Sequence, residues 1–395
     1  MTGKRAPARA IPPLLKDLNE RTVLEAIREG APISRAEISR RAGISKPTVS
    51  LALQSLLESQ LVREADPDPG RPSYGAIFFE PVPEAALVLG VDLGARFLRG
   101  AICDLHGAVR ARQDVELAGA DAEQAVEAIV ALCDSLTAAT GLPTDLVDAA
   151  VIGVPGVPDS KNGRVALTSV PGLDGLRFAP ELEDRLGLPV TVENDINLAA
   201  LGEQWQGVAR GVDDFVFLSV GTGLGAGLVL HGELHRGRNG AAGELDVVSA
   251  GLPEDIDPCA AAVSQLAARL TAERDGASSL APPYDPRSIF SAARAGDGLA
   301  LDIVAEEARR IALHVVPIAA VADVALVVLG GGLGANGDLL LQPVRKLIAA
   351  WVPYPPRVEA STLGDAAVLT GARAVARRSA LDNVFVNRAT ARVEA

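Results

Sequence analysis

The sequence is poor in cysteine: its 395 residues include only three, Cys103, Cys133 and Cys259. No two of them lie close together, so their spacing indicates neither a disulfide framework nor a cysteine-rich zinc cluster. Long apolar stretches are also lacking, since runs such as 321–329 are too short to span a bilayer, and no signal segment opens the chain. We therefore expect a cytoplasmic protein, long enough for two or three globular domains.

Charge is distributed unevenly along the chain. The net charge of −13 argues at first against a nucleic-acid partner, because an acidic surface repels a polyanion. Residues 1–50, however, hold ten Lys/Arg against five Asp/Glu, a local balance of +5, so the other 345 residues carry −18. This division suits a basic DNA-reading segment on an acidic body, although a merely solvated basic face would give the same charges.

The first 60 residues show the pattern of three short helices. Residues 16–28 predict the first helix, with an apolar face formed by Leu18, Val23, Leu24 and Ile27. Ser34 caps a second helix, and Glu37 completes a capping box. Gly43 ends that helix and Ser45 caps a third. Three helices with a glycine turn between the last two predict a helix-turn-helix, whose third helix enters the major groove.

Two short strands are predicted after the third helix, at 61–64 and 74–79, around a loop that contains Gly70-Arg71-Pro72. This pattern is typical of a wing, in which Arg71 can lie along a narrow minor groove. The candidate DNA contacts are Arg35, Ser45, Lys46, Thr48, Ser50 and Arg71. The alternative interpretation is a small helical oligomerisation or adaptor module with a solvated loop.

The rest of the chain alternates buried strands with helical stretches, which is typical of α/β lobes. Strands are predicted at 87–91, 97–103, 149–154, 189–192, 215–220 and 324–329. Polar or glycine-rich segments follow several of them: Asp92-Leu93-Gly94, Pro155-Gly156, Glu193-Asn194-Asp195, 221–227 and 330–334. Glycine loops at strand ends let a backbone approach a ligand and turn its N–H groups towards phosphate, although tight turns alone would also need the glycines.

The ordered set of these segments resembles the ROK family (repressors, open reading frames and kinases) of actin-like, RNase H-like sugar kinases. The resemblance is carried by ENDINLAALGEQ (193–204), SVGTGLGAGLVLHGELHRGRNGAAGEL (219–245), LGGGLG (329–334) and Gly364-Asp365-Ala366-Ala367. The N-terminal SRAEISRRAGISKPTVS, followed by GRP, is similar to the family's repressor branch. Taken over the whole chain, the resemblance implies an α/β fold with a winged helix-turn-helix over 1–82 and a first lobe over 85–205. A second lobe follows over 206–378, with a C-terminal helix that returns to the first lobe, and residues 379–395 form a tail.

The resemblance implies an interlobe cleft for a sugar and a nucleotide. In the family's kinases, the aspartate matched by Asp195 is the general base that deprotonates the attacking sugar hydroxyl. The expected effector-binding residues are Gly156, Ser169, Asn194, Asp195 and Glu244. The nucleotide-like loops supply Asp92, Gly94, Gly221, Thr222, Gly223, Gly225, Gly331 and Gly332. Asp195 could instead cap a helix that begins near Asn197.

Several positions depart from the pattern of the family's kinases. Arg96 stands where the first phosphate loop has a small hydroxyl residue. Val247 replaces a histidine and only Cys259 remains of the zinc-binding cysteines, so we expect no metal, because tetrahedral zinc needs three or four protein ligands. Ser169 replaces an asparagine on the sugar side. We therefore expect no cofactor, neither zinc nor ATP.

The sequence thus predicts a DNA-binding transcriptional regulator, in the commoner form a repressor, associated with the nucleoid. Its expected partners are double-stranded operator DNA with an inverted repeat and a small effector, a sugar or derivative, and it is expected to form a homodimer or homotetramer. Two alternatives remain. One is an ATP-dependent sugar kinase with an N-terminal adaptor that uses Asp195 as its base, and the other is a DNA-binding protein whose body only dimerises.

Overall fold

A computed structural model describes residues 12–66, 75–117, 119–159, 161–246, 256–273 and 278–391. The chain forms an N-terminal head over 12–81, followed by two α/β units that we call lobe 1 and lobe 2. None of the described helices is long and apolar enough to cross a membrane.

The head contains three helices and a small sheet: α1 (Pro12–Gly30), β1 (Ile33–Ser34), α2 (Arg35–Ala42), α3 (Lys46–Glu58), β2 (Val62–Ala65) and β3 (Phe78–Pro81). The Ser34 hydroxyl accepts the N–H of Glu37 and begins α2, which Gly43 ends in the left-handed conformation (φ 66°). The Ser45 hydroxyl accepts the N–H of Thr48 and begins α3. The strands pair in the order β1-β3-β2. The predicted winged helix-turn-helix is confirmed.

Some details of the head differ from the prediction. Leu18 is 59% exposed, while the three other residues of the predicted apolar face are buried. At about 100° per residue, Leu18 lies roughly opposite Ile27 on α1, so assigning them to one face was wrong. The Glu37 carboxylate binds Arg40 and Arg41 and leaves the capping box half formed. The second wing strand begins later than predicted, and Arg71 lies outside the described residues.

Lobe 1 is built on a five-stranded sheet. Its elements are β4 (Leu87–Leu93), β5 (Phe97–Asp104), β6 (Val109–Glu116), α4 (Ala122–Thr140), β7 (Val147–Val154), β8 (Val157–Pro158), β9 (Val165–Ala166), α5 (Phe178–Leu186), β10 (Val190–Asn194) and α6 (Asp195–Gln206). The sheet order is β10-β7-β4-β5-β6, with β4, β5 and β6 antiparallel and β7 and β10 parallel to β4.

Lobe 2 repeats this scheme. Its elements are β11 (Phe215–Val220), β12 (Leu224–Leu230), β13 (Glu233–Leu234), α7 (Ala260–Glu273), α8 (Pro286–Arg294), α9 (Gly298–Ala322), β14 (Leu326–Gly330), α10 (Gly331–Gly334), α11 (Gly337–Trp351) and β15 (Arg357–Ala360). The order is β13-β12-β11-β14-β15, again with three antiparallel strands and two parallel ones. The predicted two-lobed sugar-kinase-like fold is confirmed.

The glycine-rich segment 221–227 is not a loop throughout, as the sequence suggested. The turn is short and β12 already begins at Leu224, so Gly225 and Gly227 are strand residues. A Cβ at Gly225 would lie 2.3 Å from Cδ1 of Ile196, and a Cβ at Gly227 would lie 2.7 Å from the Ile196 carbonyl oxygen. These two glycines are therefore required because α6 crosses β12 closely.

The last helix, α12 (Ala367–Ala391), leaves lobe 2 and packs on α6, β4 and β7 of lobe 1. It continues well past residue 378, through most of the segment expected to be a tail. One hydrophobic cluster joins head residues such as Ile27 and Leu56 to Val88 of lobe 1 and to Ala372 and Ala376 of α12. The head is thus packed against lobe 1 and is not merely tethered to it.

Candidate functional site

A cleft of about 780 Å³ opens between the lobes, at the strand ends of both sheets. Ten of the predicted site residues line it: Gly156, Ser169, Asn194, Asp195, Gly221, Thr222, Gly223, Glu244, Gly331 and Gly332. The other three, Asp92, Gly94 and Gly225, are not among its lining residues, since Gly225 packs against α6 as described above. The resemblance to the ROK family therefore predicted most of the cleft wall from widely separated segments.

The N-terminus of α6 positions the central polar residues. Asn194 is the helix cap: its Oδ1 accepts the N–H of Asn197 at 3.0 Å, and its Nδ2 donates to the Gly156 carbonyl at 2.9 Å. Asp195 is the first residue of α6, and its Oδ1 accepts the adjacent N–H of Ile196 at 2.9 Å. The alternative in which Asp195 caps this helix is therefore wrong, and its carboxylate faces the cleft.

The carboxylates of the cleft have shifted proton affinities. Burial, followed by the nearby charge of Asp92, raises the pKa of Asp195 to about 7. Burial and the charge of Asp246 likewise raise the pKa of Glu244. A group with a pKa near neutrality can both accept and donate hydrogen bonds at physiological pH, which suits the recognition of hydroxyl groups.

Two charged side chains of the protein, Asp92 and Arg99, pair with each other at the first nucleotide-like loop. Arg99 donates from Nη1 to Oδ2 of the buried Asp92 at 3.1 Å, and burial opposes this ion pair by raising the pKa of Asp92 to about 6. The Gly94 N–H donates to the Phe97 carbonyl at 3.0 Å. Arg96, which replaces the small hydroxyl residue of the family's loop, is exposed and pairs with Glu116 at 3.1 Å. Arg99, two residues along strand β5 from Phe97, was missed.

Asp246 lies beside the second nucleotide-like loop, the turn from Gly221 to Leu224, and the sequence did not predict this contact. Its Oδ1 accepts the N–H of Leu224 at 2.8 Å. The remaining unpredicted charged residues of the cleft wall are Asp285, Arg287 and Arg294, from the start and end of α8. No glycine loop or family motif marks α8, so the sequence held no signal for it. Asp246 directly precedes Val247, which replaces a histidine of the family pattern, and no other sequence feature marked it.

Cys259 does not resemble a metal ligand. Burial and the neighbouring Asp257 raise the pKa of its thiol far above the usual range, so it stays protonated. Within the described ranges, no cluster of three or more His, Cys, Asp or Glu side chains is arranged to hold a metal ion. Val247 lies outside those ranges. The loss of the family's zinc site therefore stays a prediction of the sequence.

The head presents the N-terminal half of α3 to solvent. Ser45 and Lys46 are exposed, Thr48 and Ser50 are half-buried, and Arg35 is exposed at the start of α2. The hydroxyls of Ser45 and Thr48 lie 2.8 Å apart, so one of them donates to the other and the second keeps its hydrogen for an outside acceptor. The Ser50 hydroxyl donates to the Lys46 carbonyl and remains available as an acceptor. Leu51 was not predicted: it is 70% exposed and can contact a thymine methyl group.

The head meets lobe 1 and α12 around Trp205, near the C-terminal end of α6, and we call this contact the joint. The Trp205 ring packs against Gly107, and Arg373 and Arg377 of α12 lie over it, 5.6 and 5.2 Å from the ring centroid. Arg373 donates to the Gly107 carbonyl at 2.8 Å. Arg28 of α1 and Arg377 each approach the Leu105 carbonyl at 3.5 Å. Helix α6 thus carries Asp195 at its N-terminal end and, through Trp205 at its C-terminal end, contacts the arginines of α12 that lie next to the head.

Comparison with known proteins agrees with this architecture. The model of the ROK family matches residues 88–379, and that of the MarR family matches residues 17–72. A xylose repressor of Caldicellulosiruptor bescii is 25% identical over 379 residues, covering 91% of this chain and 95% of the repressor.

Two solved structures extend the comparison. A ROK family transcriptional regulator, a homologue of the E. coli MLC protein, superposes with a TM-score of 0.79 at 23% identity, covering 94% of this chain and 98% of the regulator. A ROK family glucokinase from Streptomyces griseus, solved with glucose and AMPPNP, gives 0.61 at 30% identity, covering 74% of this chain and all of the kinase. The kinase matches the body, whereas the regulator also spans the head.

Proposed function

This chain is a DNA-binding transcriptional regulator of the ROK family, and we propose that it is a repressor whose cleft binds a sugar without phosphorylating it. The observation that carries the proposal is the combination of an exposed recognition helix α3 with an interlobe cleft in one packed unit. A relative named as a xylose repressor aligns along nearly its whole length, which supports a pentose or hexose as the effector class.

The coupling of sugar to DNA is proposed to run along α6. A ligand that contacts Asn194 and Asp195 acts on the N-terminus of this helix. At its other end Trp205 packs under Arg377, which donates to the same Leu105 carbonyl as Arg28 of α1. For the sugar to regulate, it must bind the DNA-competent and DNA-incompetent arrangements of the head with different affinities.

The operator is proposed to be an inverted repeat bound by a homodimer or homotetramer. A symmetric oligomer presents two heads related by a twofold axis, and each α3 reads one half-site. The proposed anchors are Lys46, at the start of the recognition helix α3, and Arg71, in the loop that the sequence predicts as a wing.

A sugar kinase is the second candidate, because one observation favours it. Asp195 faces the cleft with a pKa of about 7, which suits a general base. Phosphorylation of a hexose by ATP that Asp195→Asn abolishes would support the kinase and contradict the non-catalytic proposal.

Selection of bound DNA from genomic fragments, followed by affinity measurement on the recovered site, tests the regulator. Lys46→Ala should weaken binding and lower the slope of log affinity against log salt by about one, because one phosphate contact is lost. Arg71→Ala should weaken it most at sites with AT-rich flanks. Arg112→Ala, which removes an exposed cation from the body, is the matched control. Unchanged affinity in both head variants would refute the assignment of the DNA-binding surface.

A further inference from the structure

The second nucleotide-like loop, the turn from Gly221 to Leu224, already uses N–H groups that a phosphate would need. The N–H of Gly221 donates to the Gly223 carbonyl at 3.0 Å, closing the turn on itself. The N–H of Leu224 donates to Oδ1 of Asp246 at 2.8 Å. Backbone N–H groups in a glycine turn bind phosphate only when they are free to point at it.

The carboxylate of Asp246 also fills the space beside this turn. A Cβ built on Gly223 would lie only 2.8 Å from Oδ2 of Asp246, while Oδ1 reaches Leu224. Asp246 therefore stands alongside the loop with both oxygens, in the manner of a bound anion. A phosphate entering here would have to displace it, and would meet the charges of Asp246 and Glu244 as well.

The first nucleotide-like loop also has a charged side chain beside it. Arg99 lies over the first loop: a Cβ on Gly94 would be 3.6 Å from its Nη1. Its guanidinium is ion-paired with Asp92 at 3.1 Å and with Asp365 at 3.7 Å, and it is largely shielded from solvent. A charged side chain of this chain therefore lies beside each loop: an arginine already paired with carboxylates at the first, and an aspartate at the second.

We infer that Asp246 is a specificity-determining residue that excludes phosphate-bearing ligands, so that the cleft responds to neutral sugars and not to nucleotides or sugar phosphates. The inference rests on the proposed function, since it names the ligand class of the proposed sensor. The part of the cleft near Asn194 and Asp195 remains open to hydroxyl groups. Asp246 acts on the second loop, where it occupies the Leu224 N–H and the space beside Gly223.

The test is a binding titration on the full-length protein with inorganic tripolyphosphate and with a fluorescent ADP analogue. We expect the wild type to bind neither at millimolar concentration. Asp246→Gly frees the Leu224 N–H and removes the charge, and should gain affinity by about tenfold or more. Asp246→Asn removes the charge but keeps an acceptor for Leu224, so it should gain less. Its near-identical shape keeps the test valid if the glycine variant folds poorly.

Asp285→Asn is the matched control, because it removes a carboxylate from the same cleft without freeing an N–H group of either loop. It should gain far less than Asp246→Gly. The inference is overturned if the wild type binds these probes as tightly as the Asp246 variants, or if Asp285→Asn gains as much. DNA plays no part in this titration. If the proposed function as a regulator fails, that failure appears in the operator measurement and not here.

Discussion

Gly371→Ala should be strongly destabilising, because α12 crosses α6 at glycines. A Cβ on Gly371 would lie 1.8 Å from the Leu198 carbonyl oxygen and 3.0 Å from the Gly202 nitrogen. Ordinary contact begins at 3.4 Å, so the helices would have to separate by roughly 1.5 Å in a close-packed interior. The obstacle is backbone, which cannot rotate away as a flexible side chain would.

The magnitude follows from two opposing contributions. Overpacking typically costs about 1–3 kcal/mol, and a backbone obstacle favours the upper end. Alanine gains about 1 kcal/mol over glycine in helix propensity. We therefore expect the free energy of unfolding to fall by about 2 kcal/mol, a sizeable part of the stability of a typical domain.

Urea unfolding, followed by far-ultraviolet circular dichroism and by Trp205 emission, measures the effect. Trp205 is informative because its ring contacts α12 through Arg373 and Arg377. Gly298→Ala is the control: it makes the same substitution in the first turn of α9, where a Cβ meets nothing within 4 Å. Gly371→Ala unfolding at the same urea concentration as the wild type would refute the close crossing of α6 and α12.

Three further predictions concern the cleft and the joint. Asp195→Asn should raise the free energy of unfolding more at pH 8 than at pH 5. With a pKa of about 7, Asp195 of the folded protein keeps a proton that the unfolded chain loses above about pH 4. The stability of the wild type therefore falls as the pH rises from about 4 to about 7. Equal urea midpoint shifts at the two pH values would contradict the raised pKa. Trp205→Ala should reduce the sugar-induced change in operator affinity towards none, whereas Trp351→Phe, at the other tryptophan, should leave it intact; a full response in Trp205→Ala would exclude the α6 route. Elemental analysis of the purified protein should find no stoichiometric zinc, and one zinc per chain would overturn the ligand argument.

The sequence predicted the elements whose signals are local. Ser34, Gly43 and Ser45 define the helix-turn-helix because capping and left-handed glycine depend on neighbouring residues. The strand 215–220 was predicted with its observed bounds because a continuous apolar run between turn residues is a clear signal. In the cleft, the polar residues at strand ends were found through the resemblance to the ROK family, which implies a sugar and nucleotide cleft at those ends.

What the sequence could not show depends on contacts between distant segments. Arg99 and Asp246 belong to no motif, and only the fold places them on the two loops. Gly225 was assigned to a phosphate loop because a glycine required by helix crossing looks the same as one required by a ligand. The joint around Trp205 combines residues from α1, a turn at 105–107, α6 and α12, and its outermost members, Arg28 and Arg377, are 349 positions apart (377 − 28).

The most direct test of the central claim is the affinity of the protein for its selected operator, measured by fluorescence anisotropy with and without D-xylose and D-glucose. Calorimetry on the same samples establishes which sugar binds. We predict that the sugar that binds changes the dissociation constant for DNA by at least about fivefold, the lower end of typical allosteric coupling. Sugar binding in the cleft that leaves the operator affinity unchanged would contradict the account.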